Sequence, residues 1–174
     1  MKKIMLLYAM CIICALLSNC ATVDKNCLSG DCENGDGTYL FEKGGKYTGQ
    51  FKRGKRHGAG TYYYTDGSEY SGQWEDDRIQ GTGTMTSKDW KYTGQWKKSE
   101  MHGTGTLTYS NRDKYTGEFK EDKIHGEGTY TYSDGKKYTG QFKKNMKHGQ
   151  GILYDSKGKV LQKGKFSQDK YIGE

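Results

Sequence analysis

Four histidines could do chemistry: His57, His102, His125 and His148, each standing before a glycine pair in HGAGTYYY, HGTGTLTY, HGEGTYTY and HGQGILYD. Imidazole can ligate a metal, shuttle a proton near neutral pH or activate a nucleophile. Their recurrence argues against all three. A zinc ion needs its nitrogens within about 2.1 Å, whereas equivalent positions one repeat apart on a sheet are two strand spacings, about 9–10 Å, from each other. Catalytic sites are unique constellations, and these polar residues recur with a fixed step. No glycine-rich phosphate loop is present either, because the glycines join strands and none opens a helix. The sequence predicts no catalytic residue, no metal site and no cofactor, and it places the histidines in turn packing.

The cysteines carry a different chemistry. The chain opens MKKIMLLYAMCIICALLSNCA, with two lysines, an apolar run from Ile4 to Leu17, then small and polar residues up to Cys20. A run of that length is too short for a bilayer, which needs about 20 residues, and has the layout of an export signal. Leu17-Ser18-Asn19-Cys20 resembles a bacterial lipoprotein lipobox. The resemblance implies cleavage after residue 19 and acylation of Cys20. With Ala21 rather than an acidic residue next, it points to the outer membrane, facing periplasm or cell surface. Cys27 and Cys32, in CLSGDC, are expected to pair as a disulfide in an oxidising compartment. Four residues separate them instead of two, and no second pair completes a zinc site.

The elements that position these residues form a repeat. Glycine pairs begin at Gly35, Gly58, Gly81, Gly103, Gly126 and Gly149, at steps of 23, 23, 22, 23 and 23 residues. A second motif runs in phase: YTGQF from Tyr47, YSGQW from Tyr70, YTGQW from Tyr92, YTGEF from Tyr115 and YTGQF from Tyr138, with a worn copy, QKGKF, from Gln162. Periods of this size mean an array of one supersecondary unit. Alternation puts Tyr47, Gly49 and Phe51 on one strand face and Thr48, Gln50 and Lys52 on the other. Asp66-Gly67 and Asp134-Gly135 are favoured hairpin turns. The fold class that follows is all-β: an elongated, single-layer antiparallel meander of about 12 strands, open and solenoid-like. Glycines opposite a regularly phased aromatic leave bare backbone for the rings to cover.

Y-x-G-x-[FW] followed by H-G-x-G-x-[LY] resembles the MORN repeat (membrane occupation and recognition nexus). Gln80 in place of the histidine, Asp89-Trp90 in place of the Asp-Gly turn and Gln162 in place of the tyrosine depart from it locally. The expected organisation is a signal peptide over 1–19, a lipidated N-terminus and disulfide cap over 20–34, and the array over 35–174.

Two surfaces follow as candidates. One is the aromatic comb of Tyr47, Phe51, Tyr70, Trp74, Tyr92, Trp96, Tyr115, Phe119, Tyr138 and Phe142, whose main work is stacking and whose surface suits an extended protein or peptide partner. The other is the basic patch Lys52, Arg53, Lys55 and Arg56. The MORN resemblance implies a possible contact with anionic phospholipid there. The loops after each Phe or Trp, however, carry +4, −2, +1, 0, +3 and 0, so no basic stripe persists along the array. The formal charge of +7 drops to +5 without residues 1–19, which does not call for nucleic acid as a partner. The resulting reading is a membrane-anchored, non-catalytic interaction scaffold, with peripheral anionic-phospholipid binding as the alternative.

Overall fold

The computed structural model describes residues 24–174; the leader and Cys20 lie outside the described residues. Every element in it is a strand: β1 (Cys27–Gly30), β2 (Asp36–Leu40), β3 (Lys46–Lys52), β4 (Lys55–Tyr63), β5 (Glu69–Glu75), β6 (Arg78–Thr86), β7 (Trp90–Lys97), β8 (Glu100–Tyr109), β9 (Lys114–Lys120), β10 (Lys123–Thr131), β11 (Lys137–Lys143), β12 (Met146–Tyr154), β13 (Val160–Ser167) and β14 (Lys170–Gly173). They form one sheet in sequence order, each strand antiparallel to the next. The repeat pattern accounts for β2 to β13. The two further strands come from segments with no motif of their own, β1 from the CLSGDC loop and β14 from the last residues, KYIG.

Two kinds of connection alternate along the sheet. On one side the strands are joined by two-residue turns in which both residues have positive φ: Arg53-Gly54, Asp76-Asp77, Lys98-Ser99, Glu121-Asp122, Lys144-Asn145 and Gln168-Asp169. Paired positive φ is the hairpin geometry whose twist matches that of the strands, and Asp and Asn tolerate it better than most side chains. A periodic tie secures these turns. The Asp77, Asp122 and Asp169 carboxylates accept the backbone N–H of Arg56, Met101 and Lys147, each in the strand that leaves the tight turn one repeat earlier, at 3.0, 2.8 and 2.9 Å, and the Asn145 side-chain carbonyl accepts that of Ile124 at 2.8 Å. On the other side run the Asp-Gly loops, closed for example by Tyr64 N–H to Ser68 O at 2.9 Å. In the 22-residue repeat, Ser87 N–H reaches Trp90 O at 2.8 Å, one residue sooner, and this accounts for the short step.

Within each repeat the register slips once. Tyr47 faces Tyr62 and Gly49 faces Gly60, but Phe51 faces Arg56. The extra length is taken up at Gly58, in the left-handed region at φ 58°, where the Gln50 Oε1 accepts Ala59 N–H at 3.0 Å. Gln73, Gln95, Glu118 and Gln141 repeat that bond to Thr82, Thr104, Glu127 and Gln150. The conserved-looking phase of glutamine and first glycine is thus one bulge, made five times. The histidines sit beside this bulge, within β4, β8, β10 and β12, and not in turns. The His57 and His125 backbone carbonyls accept the Tyr47 and Tyr115 hydroxyls, each at 3.3 Å.

One file of rings forms the core. Tyr47 meets Phe51 of its own strand at 5.1 Å and 89°, and Trp74 of the next repeat at 5.4 Å and 81°. The same two contacts recur at Tyr70, Tyr92, Tyr115 and Tyr138. Such edge-to-face pairs contribute about 0.5–1.5 kcal/mol each beyond area burial. Each tyrosine crosses bare glycine backbone, and a Cβ built on Gly105 would fall 2.5 Å from the Tyr92 ring.

Candidate interaction surface

The ten comb residues are too deeply buried to serve as a contact surface. Tyr47, Tyr70, Tyr92, Tyr115 and Tyr138 are 0% exposed, and their Phe and Trp partners 3–6%. Expecting one sheet layer to leave these rings accessible underrates the glycine floor, which lets each ring lie down between strands and be covered by its neighbours. Phe166, from the worn copy QKGKF, joins the file at 5.0 Å from Tyr138 and is 1% exposed, although the motif's tyrosine is Gln162 there. Burial pushes the phenols up, to about 12 for Tyr47, Tyr92 and Tyr138.

A second row on the same face remains accessible. Phe41, Tyr62, Tyr64, Trp90, Tyr109, Tyr130 and Tyr132 are half-buried, packed against the file from the side of the Asp-Gly loops. They come mainly from the strand position after each glycine pair and from the loop beyond it. Tyr62 lies 5.5 Å from Phe41 and 4.6 Å from Tyr64; Tyr130 lies 4.7 Å from Tyr132 and 6.5 Å from Tyr109. Polar groups are mixed into the row. The Tyr130 hydroxyl donates to Asp113 at 2.9 Å, and burial together with that carboxylate holds its proton on. Lys147 Nζ stands 5.9 Å over the Tyr132 ring. A row of half-exposed rings with charged neighbours on a rigid floor is the chemistry of contact hot spots.

The opposite face is hydroxylic. Thr61 pairs with Ser71 at 3.0 Å, Thr84 with Thr93 at 3.0 Å, Thr106 with Thr116 at 3.1 Å and Thr129 with Thr139 at 3.2 Å. These side chains are small and bonded to each other, while at the first repeat the same face also carries exposed Leu40 and Tyr63, with Lys46 Nζ 4.8 Å over the Tyr63 ring.

The basic patch divides. Arg56 turns onto the aromatic face, its guanidinium 4.4 Å from the Trp74 ring and 5.1 Å from Tyr62, with Nε 3.1 Å from Asp77 Oδ1. It serves packing between the first two repeats. Lys52, Arg53 and Lys55 stay exposed around the first tight turn.

At the N-terminal end a disulfide joins Cys27 and Cys32, with Cα atoms 6.0 Å apart. Its position mirrors the repeat. Gly60, Gly83, Gly105, Gly128 and Gly151 each lie under a tyrosine, whereas a Cβ on Gly37 would meet Cys32 Sγ at 2.9 Å. A sulfur covers the first glycine where a ring covers the others. Among the described residues no group of three or more His, Cys, Asp or Glu is placed to hold a metal ion.

No curated protein matches the chain. Among solved structures it is similar to a mutant TCP10 domain of Danio rerio CPAP, with 22% identity, TM-score 0.48 and coverage of 76% of this chain and 63% of that one. It is also similar to the SAS-4 (dCPAP) TCP domain of Drosophila melanogaster, in complex with a proline-rich motif of Ana2 (dSTIL), with 14% identity, TM-score 0.48 and coverage of 75% and 72%. The chain thus spans less than two thirds of the zebrafish chain. The MORN-repeat family model matches residues 47–69, 70–91, 92–114, 115–137 and 138–160, in phase with the tyrosine of each repeat, and the chain belongs to the MORN-repeat family.

Proposed function

We propose that this chain is an exported lipoprotein, anchored through acylated Cys20 to a bacterial outer membrane, whose repeats bind a protein or peptide partner without catalysis. The observation that carries the binding half is the accessible second row of rings, Phe41 to Tyr132, laid on a buried aromatic file that cannot itself move to meet a ligand. Rigid aromatic anchors keep the ordering cost of association low. The leader over 1–19 and the lipobox-like Leu17 to Cys20 support the anchoring half. Two or three acyl chains, at ~0.8 kcal/mol per buried methylene, would hold such an array at the surface of a bilayer.

Trp90→Ala combined with Tyr132→Ala tests the binding half. The pair should leave the sheet's circular dichroism intact and abolish crosslinking to the partner in intact cells. Unchanged crosslinking would remove the aromatic row from the account. Acyl labelling that survives Cys20→Ala would remove the anchor.

A second reading has one observation behind it: Lys52, Arg53 and Lys55 stay exposed together at one turn. It places an anionic phospholipid surface against the first repeat. Flotation of residues 21–174 with anionic vesicles, lost on adding salt or with Arg53→Glu, is the outcome it requires.

A further inference from the structure

The aromatic file is closed on both sides of every ring except at its first member. Trp74 is met edge-on by Tyr70 of its own strand at 5.2 Å and by Tyr47 of the preceding repeat at 5.4 Å. Trp96, Phe119, Phe142 and Phe166 are likewise met by the tyrosine of the preceding repeat, at 4.9–5.4 Å. Phe51 has Tyr47 at 5.1 Å on one side, but in place of a preceding tyrosine only the tilted ring of Tyr39, at 6.4 Å. β1 brings no aromatic residue: Cys27 stands opposite Tyr39 where Tyr47 stands opposite Tyr62.

The Cys32 sulfur takes that ring's place over Gly37, and beside it the sheet face stays open. A groove of about 950 Å³ opens between the disulfide loop and the first repeat, with Cys32, Tyr39, Phe41 and Phe51 among its walls. Its rim is acidic. Asp24, Asp31, Glu33 and Asp77 line it against a single guanidinium, that of Arg56, which Asp77 already holds. The chain as a whole is basic, at +7. The Asp31 carboxyl accepts the N–H groups of Asn34 and Glu33, at 2.9 Å each, and these hold it below the usual carboxylate range, so it stays charged.

We propose that this groove receives an aromatic side chain from a basic peptide segment of the partner, the ring packing against Phe51 beside the disulfide and the flanking cations facing Asp24, Asp31 and Glu33. The proposal rests on the interaction-scaffold reading above and adds the partner's chemistry at one end of it. Aromatic and cationic recognition fall together here, because the ring walls Tyr39, Phe41 and Phe51 and the carboxylates of Asp24, Asp31 and Glu33 line one groove.

The test uses a labelled peptide, Lys-Lys-Trp-Lys-Lys, and two counterparts with Ala for Trp or Glu for Lys, titrated into the lipid-free chain from residue 21 and followed by anisotropy and by NMR shifts. The Trp peptide should bind about tenfold more tightly than the Ala peptide, as one aromatic pair implies. Shifts should concentrate at Tyr39, Phe41 and Phe51, and Glu33→Lys, an exposed position, should weaken binding while leaving the sheet's spectrum unchanged. Equal binding of the Trp and Ala peptides, or no binding, would overturn the proposal. Shifts centred on Trp90 and Tyr132 would also overturn it while leaving the scaffold reading intact. That reading is tested separately, by the crosslinking experiment with Trp90 and Tyr132.

Discussion

Tyr92 lies across the bare backbone of Gly105, so close that a Cβ there would fall 2.5 Å from ring carbon Cε2. The two residues belong to neighbouring strands of one repeat, and Gly105 is not in the left-handed region, so the glycine is required by space and not by backbone conformation. Gly105→Ala should therefore cost about 1–3 kcal/mol, the usual penalty for overpacking. Tyr92→Phe keeps the ring and loses only the hydroxyl's bond to Gln95 O, so its cost should be about 0.5–1.5 kcal/mol. Urea unfolding of both variants checks the order; an alanine at 105 as stable as the parent would mean the ring does not need the floor.

The tight turns make a second prediction. Asp122 combines a positive φ of 61° with a carboxylate that accepts the N–H of Met101, in the strand leaving the tight turn one repeat earlier. Asp122→Ala loses the bond and keeps the strained φ, so about 1–2 kcal/mol should be lost. Asp122→Asn keeps the acceptor oxygen and the tolerance for positive φ, and should fold with nearly parental stability. Thermal melts of the two variants, compared side by side, separate them.

Alkali should unfold the array cooperatively. Burial raises the folded-state pKa of Tyr47, Tyr92 and Tyr138 to about 12, against about 10 for an exposed tyrosine. A group that holds its proton more tightly when folded contributes stability below its unfolded pKa and loses it as pH climbs to the folded value. Stability should thus fall between about pH 10 and 12, with tyrosinate absorbance rising in step with loss of the β-sheet signal. Ionisation of every tyrosine while the sheet persists would contradict the burial of these rings.

Removing the disulfide should act locally. In a linear array each repeat is held by its neighbours alone. Cys27→Ser with Cys32→Ser uncovers Gly37 and frees β1, so amide exchange should accelerate in β1 and β2 while β9 to β12 keep their protection. A uniform loss of protection along the sheet would show that the cap governs the whole array.

Much of this was legible in the sequence. The 23-residue step fixed the repeat, and the alternation of Tyr, Gly and Phe or Trp identified the face that packs. Three things were hidden, each for a physical reason. Burial of the comb depends on how far a ring can sink onto glycine, which alternation alone does not reveal. The turns at Asp76-Asp77 and Glu121-Asp122 lack the glycine that advertises positive φ, and their support comes from a bond to the strand that leaves the turn one repeat earlier. The accessible row of Tyr64, Trp90 and Tyr132 lies outside the Y-x-G-x-[FW] motif, where a loop position decides exposure. The spacing of Tyr130 and Tyr132, two apart on one strand face and its continuation, was the available signal.

The face asymmetry is testable in one step. A photocrosslinking amino acid placed at Tyr132, on the aromatic face, and separately at Thr106, on the hydroxylic face, reports in native cells which side meets another protein. Crosslinks from position 132 and none from position 106 are expected. Crosslinks from position 106 alone would put the interaction on the threonine face and overturn the assignment of the aromatic row as the contact surface.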